Sequence, residues 1–512
     1  METKPGPGVN AVRRVPLPPL TLAYYGDDFT GSADVMEALA NAGLPAVLFL
    51  EPPTPEMLAR HPHARAVGVA GVSRSMTPAQ MDAALPAAFD ALGRLGAPLV
   101  HYKVCSTFDS SPAVGSIGRA LELARERFST IATPIVVGAP ILGRYCAFGN
   151  VFARSGLESP VYRLDRHPTM SCHPTTPIHE SDVRLLLARE TTMRIGLADV
   201  SHVSGGATAA RAEFDRASRD GAEAVVFDSV EPSHLPVVGQ VVWDLAGEAA
   251  MAAVVPPSGA RAPLPLFVVG SSGVEYALTA HWIETGLLSP QPAPTSAQAV
   301  KQIVCVSGSC SPVTARQIEF ALAHGFVDYP VDPSQLLAEN SRDVVRDVVA
   351  DATALLSAGV SVVLHTSRGP DDARIKRFAK RRALSTDGLS AAEIIGSHLG
   401  QILRQIVKQT SLQRVAVTGG DTSGYVARQL GIESLEYLAP VAPGSPICRA
   451  HGRSDDTLAT GLEIAFKGGQ VGYADYLVRV RDGRVCSPLV EPRGSASPVD
   501  SPTPSSASAA RR

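Results

Sequence analysis

Several common signatures are missing from this chain, and each absence removes a class of function. Neither sign of charge is in excess: 46 Lys and Arg stand against 49 Asp and Glu in 512 residues, a formal net charge of −3. There is therefore no basic footprint for nucleic acid. Aromatics make up only 5%, too few for a base-stacking platform. The 7 cysteines are scattered and no two form a Cys-x-x-Cys pair, which supports neither a zinc knuckle nor a disulfide framework. Reduced thiols in a cytoplasmic protein are the expectation. No apolar run reaches the ~18 residues of a membrane span, and no apolar stretch completes a secretory signal after Arg13 and Arg14. Neither the Gly-x-x-x-x-Gly-Lys-Ser/Thr loop nor the Gly-x-Gly-x-x-Gly fingerprint occurs. A bound nucleotide would need an unconventional set of loops, and an NAD-linked dehydrogenase is disfavoured.

What remains is an ordinary globular composition, 45% hydrophobic and 19% charged, long enough for two or three domains. Short apolar runs alternate with helical patterns: Leu22–Tyr25, Ala46–Leu50, Ala66–Val69, Leu99–Val104, Ile135–Val137, Ile195–Leu197, Ala224–Phe227 and Leu266–Val269 in the first half. Ile303–Val306, Phe326–Val331, Val362–His365, Val415–Val417 and Leu435–Leu438 follow in the second. Such alternation predicts an α/β protein with mainly parallel sheets. A Pro/Ser/Ala-rich stretch divides the halves. The expected organisation is a loose 1–18, a domain over 19–287, a linker over 288–300, a domain over 301–482 and a disordered tail over 483–512. Polar clusters follow the strands directly in both halves. Ligands of such sheets sit at the carboxyl ends of strands, so two α/β domains facing a central cleft are predicted.

The sharpest cluster is Gly26-Asp27-Asp28-Phe29-Thr30-Gly31-Ser32-Ala33-Asp34. Two adjacent carboxylates at a strand end are costly unless a cation, a proton or a substrate hydroxyl uses them. One of them as a helix cap is the plain alternative, but a cap accounts for one aspartate and not both. In the same half, Arg74 and Arg144 suit a carboxylate, and Lys103, Ser106 and Asp109 offer charge and hydroxyl contacts. Lys103 in a buried ion pair, Asp109 in a turn and Arg144 at the surface are the structural alternatives. His167 and His173 lie between prolines at a spacing that fits no helical metal site, and an ordered loop is expected there.

The second half carries the loops for an anion. Ser307, Ser309 and Ser311 follow one strand; Gly419, Gly420, Asp421 and Thr422 follow another; Lys467, Gly468 and Gly469 lie near the end. Glycines admit a phosphate to the backbone, helix-start N–H groups point at it, and lysine supplies a point charge. Asp421 is a candidate for Mg²⁺ or a ribose hydroxyl. Each loop alone also reads as a turn with an N-cap, but the three together favour a nucleotide.

These motifs in order resemble the four-carbon acid sugar kinase family. The resemblance rests on GDDFTGSADVMEAL, GVSRS, YKVCSTFDSS, DRHPTMSCHPTTP, FVVGSSGVEYAL, VSGSCSPVTARQIEFAL, TGGDTSGYVARQLGI, APGSPICR and FKGGQVG. It implies an N-terminal domain for the acid sugar, a C-terminal domain for ATP, and phosphorylation of the 4-hydroxyl of a 3-oxo-tetronate, threonate or erythronate. Asp27 or Asp28 would then orient or deprotonate that hydroxyl. The Lys103–Ser111 stretch is closer to the 3-oxo-tetronate kinases. Ala139–Tyr145 departs from the Asn-Gly-Arg-Thr run found in many members, which leaves the choice of acid open. A regulatory protein that binds sugar acid and nucleotide without catalysis would keep the same cleft, and a homo-oligomer is compatible with the architecture.

Overall fold

A computed structural model describes residues 16–129, 131–154, 160–172, 177–252, 264–290, 297–383 and 390–486. The expected tail from 487 onward, residues 1–15, 291–296 of the linker and His173 lie outside the described residues. Residues 16–18, expected to be loose, are held: Leu17 is buried, and Arg65 Nη2 donates to the carbonyls of Leu17 and Pro18 at 3.2 and 3.1 Å.

The buried apolar runs form strands as expected. The first domain has a parallel sheet in the order Ala46–Phe49, Ala66–Ala70, Leu22–Gly26, Leu99–Lys103, Leu266–Gly270, Thr133–Val136, Ala224–Phe227, Ile195–Ala198. The second has Phe326–Pro330, Ser361–His365, Val304–Ser307, Arg414–Thr418 and Glu463–Lys467 in parallel. Their central strands are almost completely buried, as sheets covered by helices on both faces require. Helices such as Pro78–Gly93, His234–Ala252, Ser341–Ser357 and Ala391–Gln409 supply that cover.

The sequence pattern did not foresee how the two sheets meet. Leu435–Leu438 belongs to a longer strand, Ile432–Ala442, which pairs antiparallel with Ser445–Gly452. That hairpin lies between Glu463–Lys467 and Ala46–Phe49. Among the described residues the result is a single sheet of 15 strands running through both domains. Among the same residues the first domain also carries a separate antiparallel sheet of 3 strands, Arg144–Ala147, Asn150–Arg154 and Val161–Arg163.

The helix Phe29–Asn41 joins the lobes. Asp28 caps it, accepting from the Gly31 N–H at 3.1 Å, a contact of the kind worth ~1 kcal/mol. Its first residue packs Phe29 edge-on against Phe466 of the second domain, with ring centroids 4.6 Å apart. Farther along, buried Glu37 accepts at 2.7 Å from the N–H of Gly444, in the hairpin turn.

Candidate active site

The strand Leu22–Gly26 lies between Ala66–Ala70 and Leu99–Lys103, so the loops after all three strands emerge side by side. Asp27 N–H donates to Lys103 O at 2.8 Å, and Arg74 N–H to Asp27 O at 3.0 Å. This backbone interlock brings together Asp27, Asp28, Arg74 and Lys103. Arg74 donates from Nε and Nη2 to the two oxygens of Asp27 at 3.0 and 2.7 Å, and from Nη2 to Asp28 at 2.9 Å. Arg74, expected to clamp a substrate carboxylate, thus has Nε and Nη2 engaged by the two aspartates. Its fork is committed to the aspartates, which resolves the cost of placing them side by side.

The two aspartates are held differently. Asp27 is buried. Burial pushes its carboxyl up to about 6 although Arg74 opposes the shift, and the adjacent Asp28 adds to it. Burial also works against ionisation of Asp28, but Arg74, Lys103, the Thr30 hydroxyl and the Gly31 N–H outweigh it and hold its carboxyl below the ordinary value. Asp28 is the more accessible of the pair, its side chain 12% exposed against 3% for Asp27. A methyl on Gly31 would stand 2.4 Å from Asp28 Oδ1 and 2.9 Å from Lys103 Nζ. Only glycine leaves room for this approach of lysine to the helix cap.

Lys103 is itself buried, with Nζ 4.0 Å from Asp34 Oδ2. Asp34 lies in the opening motif but received no role from the sequence. Its carboxyl is raised by burial against the pull of Lys103. The signal for it was its spacing of three and four residues from Gly31 and Thr30, which puts it on their face of the helix.

Arg144 stands on the small antiparallel sheet rather than in a loop. Its contacts are long ones from Nη1 to the carbonyls of Leu142 and Gly143, at 3.4 and 3.3 Å, and its buried Nε has no hydrogen-bond partner among the described residues. Burial pushes the guanidinium below its usual value, while Cys105, Asp109 and Asp34 act in the opposite sense. Asp109 is buried and accepts from Thr107 Oγ1 at 2.7 Å. The preceding Phe108, fully buried at φ 53, holds the loop in a left-handed turn rare for a bulky residue. Ser106 lies half-buried in the same loop. His167 accepts at Nδ1 from the Thr169 and Met170 N–H groups, both at 3.2 Å, and so organises its own loop.

In the second domain, Val304–Ser307, Arg414–Thr418 and Glu463–Lys467 are neighbours, and their three loops converge. Gly308 N–H donates to Thr418 O at 3.0 Å and Gly419 N–H to Lys467 O at 2.8 Å. The hydroxyls of Ser309 and Thr314 lie 3.0 Å apart, and Thr314 donates to Gly469 O at 3.1 Å. Ser311 caps the helix Pro312–Leu322, and the helix Gly420–Gln429 starts on Gly420 itself. This places exposed Asp421 in its first turn and Thr422 inward. Lys467 is fully buried; its ammonium donates to Gly468 O at 2.7 Å and Thr314 Oγ1 at 3.1 Å. Burial pushes it down to about 7. Ser307 Oγ and Thr418 Oγ1 are buried without hydrogen-bond partners. A methyl on Gly308 would stand 2.2 Å from Thr422 Oγ1. Glycine backbone, spare hydroxyls, a lysine and a helix start suit a polyphosphate.

The two sets of residues meet at Thr30. Its hydroxyl donates to Asp28 Oδ2 at 2.8 Å, and a methyl on Gly420 or on Gly468 would stand 3.8 Å from Thr30 Oγ1. The aspartates of the first domain and the glycine loops of the second thus share one wall.

A small-molecule kinase with one lobe for the acceptor and one for the nucleotide is the class that this fold and site define. Residues 22–278 match a family described as a sugar-binding N-terminal domain, and residues 304–477 one described as a nucleotide-binding C-terminal domain. The chain is 44% identical over 486 residues to the 3-oxo-isoapionate kinase of Paraburkholderia graminis, covering 94% of this chain and 99% of that one. It is 31% identical over 469 residues to the 3-oxo-tetronate kinase of Methylobacterium radiotolerans, covering 90% and 99%. A crystal structure from Salmonella typhimurium LT2 superposes with a TM-score of 0.68 at 26% identity, over 91% of this chain and 100% of the other. The chain belongs to the four-carbon acid sugar kinase family. The regulatory alternative is set aside, since the 44% identical relative is a kinase. Among the described residues no helix is long and apolar enough to cross a membrane.

Proposed function

We propose that this enzyme transfers the γ-phosphoryl group of ATP to the terminal hydroxyl of a 3-oxo sugar acid. The observation that carries the reading is the meeting of Asp28, through Thr30, with the Gly420 and Gly468 loops. Donor and acceptor groups must be brought into line at such a point. The 44% identity to a 3-oxo-isoapionate kinase, against 31% to a 3-oxo-tetronate kinase, favours 3-oxo-isoapionate as the first substrate to test.

In this reading Arg144, with no carboxylate of its own, takes the substrate carboxylate. Lys103, Ser106 and Asp109 contact the hydroxyl groups of the acid, Asp109 as an acceptor. Asp28, ionised and facing the cleft, receives the proton of the attacking hydroxyl as oxygen bonds to phosphorus and the bond to the ADP oxygen breaks. Asp27 fixes Arg74, which in turn positions Asp28. The loops at Ser307, Ser309 and Ser311, at Gly419, Gly420 and Thr422, and at Lys467, Gly468 and Gly469 hold the phosphates. Asp421 offers oxygen ligands of the kind magnesium takes, and the ion bound with ATP would neutralise phosphate charge. Closure of the lobes would keep water from the phosphoryl group.

ADP release with Mg-ATP, measured over 3-oxo-isoapionate, 3-oxo-tetronates, threonate and erythronate, tests the proposal. Turnover on a 3-oxo acid is expected. Folded protein that turns over none of them would overturn it.

A further inference from the structure

The junction of the two lobes carries a cluster that the kinase chemistry does not use. His61, just beyond the helix Pro55–Ala59 of the first domain, meets Glu436 and His451 on the two strands of the hairpin that joins the sheets. One ligand atom from each residue can be chosen so that all lie within 4.8 Å of one another. His61 Nδ1 is 2.7 Å from Glu436 Oε1, and His451 Nε2 is 3.2 Å from Glu436 Oε2. The imidazole rings stand edge to face with centroids 4.8 Å apart.

Hydrogen bonding alone accounts for only part of this arrangement. His61 is well served: its Nε2 lies 3.0 Å from Ser434 Oγ, which fixes the ring with Nδ1 toward the carboxylate. His451 Nε2, in contrast, is buried and makes no hydrogen bond despite its closeness to Glu436. A buried ring nitrogen whose carboxylate neighbour at 3.2 Å lies outside hydrogen-bonding geometry is poorly served, and a cation shared with that carboxylate and the second imidazole would serve all three.

We propose that His61, Glu436 and His451 form a zinc-class metal site that clips the two lobes together at the sheet junction. Two imidazoles and a carboxylate are a donor set that suits zinc and its neighbours rather than magnesium. Ligand distances near ~2 Å need only small shifts of the side chains. Ser434 plays the supporting part usual for a metal-bound histidine, taking the hydrogen bond of the other ring nitrogen. His451 and Glu436 keep side-chain exposures of 29% and 40%, so the ion has an entry path and water a place in its fourth position. The ligands come from the two lobes, His61 lying 375 residues before Glu436. Binding therefore stabilises the joined state over any state in which the hairpin parts from the first domain. The inference does not depend on the identity of the phosphorylated acid.

The test uses the full untagged chain, stripped with a chelator and titrated with cobalt(II) alone. One equivalent should produce visible ligand-field bands without the near-ultraviolet charge transfer of a cysteine ligand, and zinc should displace them while magnesium does not. H451A and the milder H451Q should lose the bands. Zinc alone should raise the thermal midpoint of the parent protein by ~2 °C or more and leave that of E436Q unmoved. Absence of stoichiometric bands in the parent protein, or bands retained in both His451 variants, would overturn the proposal.

Discussion

Asp28 combines two duties that one substitution can separate. Asparagine caps a helix about as well as aspartate, so Asp28→Asn keeps the start of Phe29–Asn41 while removing the charge that would accept the hydroxyl proton. Turnover should fall at least ~100-fold with ATP affinity little changed, as read by steady-state kinetics beside calorimetric titration with ATP. Asp27 predicts a pH effect of definite sign. Its carboxyl is raised to about 6 by burial, so it is ionised and fully engaged with Arg74 above that pH. Below it the group gains a proton, and Arg74 loses its bidentate partner and shifts toward Asp28. The value of kcat/KM should therefore drop as pH falls through about 6, and Asp27→Asn should flatten that limb in a pH–rate profile. At this scale the sequence showed the aspartate pair, because adjacent carboxylates at a strand end need a reason. It did not show what Arg74 does. The ion pair spans 47 residues, and nothing local distinguishes an arginine that faces a ligand from one that pairs with carboxylates of its own chain.

The loops of the second domain act through their close packing. Gly308 passes so near Thr422 that a methyl there would meet the hydroxyl at 2.2 Å. Overpacking of this kind costs ~1–3 kcal/mol. It would fall on the start of the helix Gly420–Gln429, where phosphate is proposed to bind. Gly308→Ala should weaken ATP binding by ~10-fold or more while leaving sugar-acid binding intact, and paired calorimetric titrations check both. The parallel strands of both domains were legible because their apolar runs are short, continuous and bounded by turns. The hairpin Ile432–Ala442 with Ser445–Gly452 was not, since Leu435–Leu438 has the apolar look of another parallel strand. The small sheet bearing Arg144 was missed for the opposite reason: its strands are only partly buried and show no continuous apolar run.

As a whole, the molecule is two α/β lobes on one continuous sheet, and the strand-end loops of the two lobes share a wall at Thr30. The division into two α/β domains could be read from the alternation of apolar runs and helical patterns on either side of a Pro/Ser/Ala-rich stretch. The continuity of the sheet could not, because it depends on the edge pairing of Ala46–Phe49 with a strand from the other lobe, and edge pairing leaves no local pattern. Under the proposed function, the terminal hydroxyl of the acid is the group that meets the phosphoryl donor. Phosphorus–proton correlation NMR on the product formed from ATP and a 3-oxo sugar acid tests this most directly. The account predicts phosphorus coupled to the terminal methylene protons. Phosphorus on an internal hydroxyl, or inorganic phosphate released with no sugar ester formed, would contradict it.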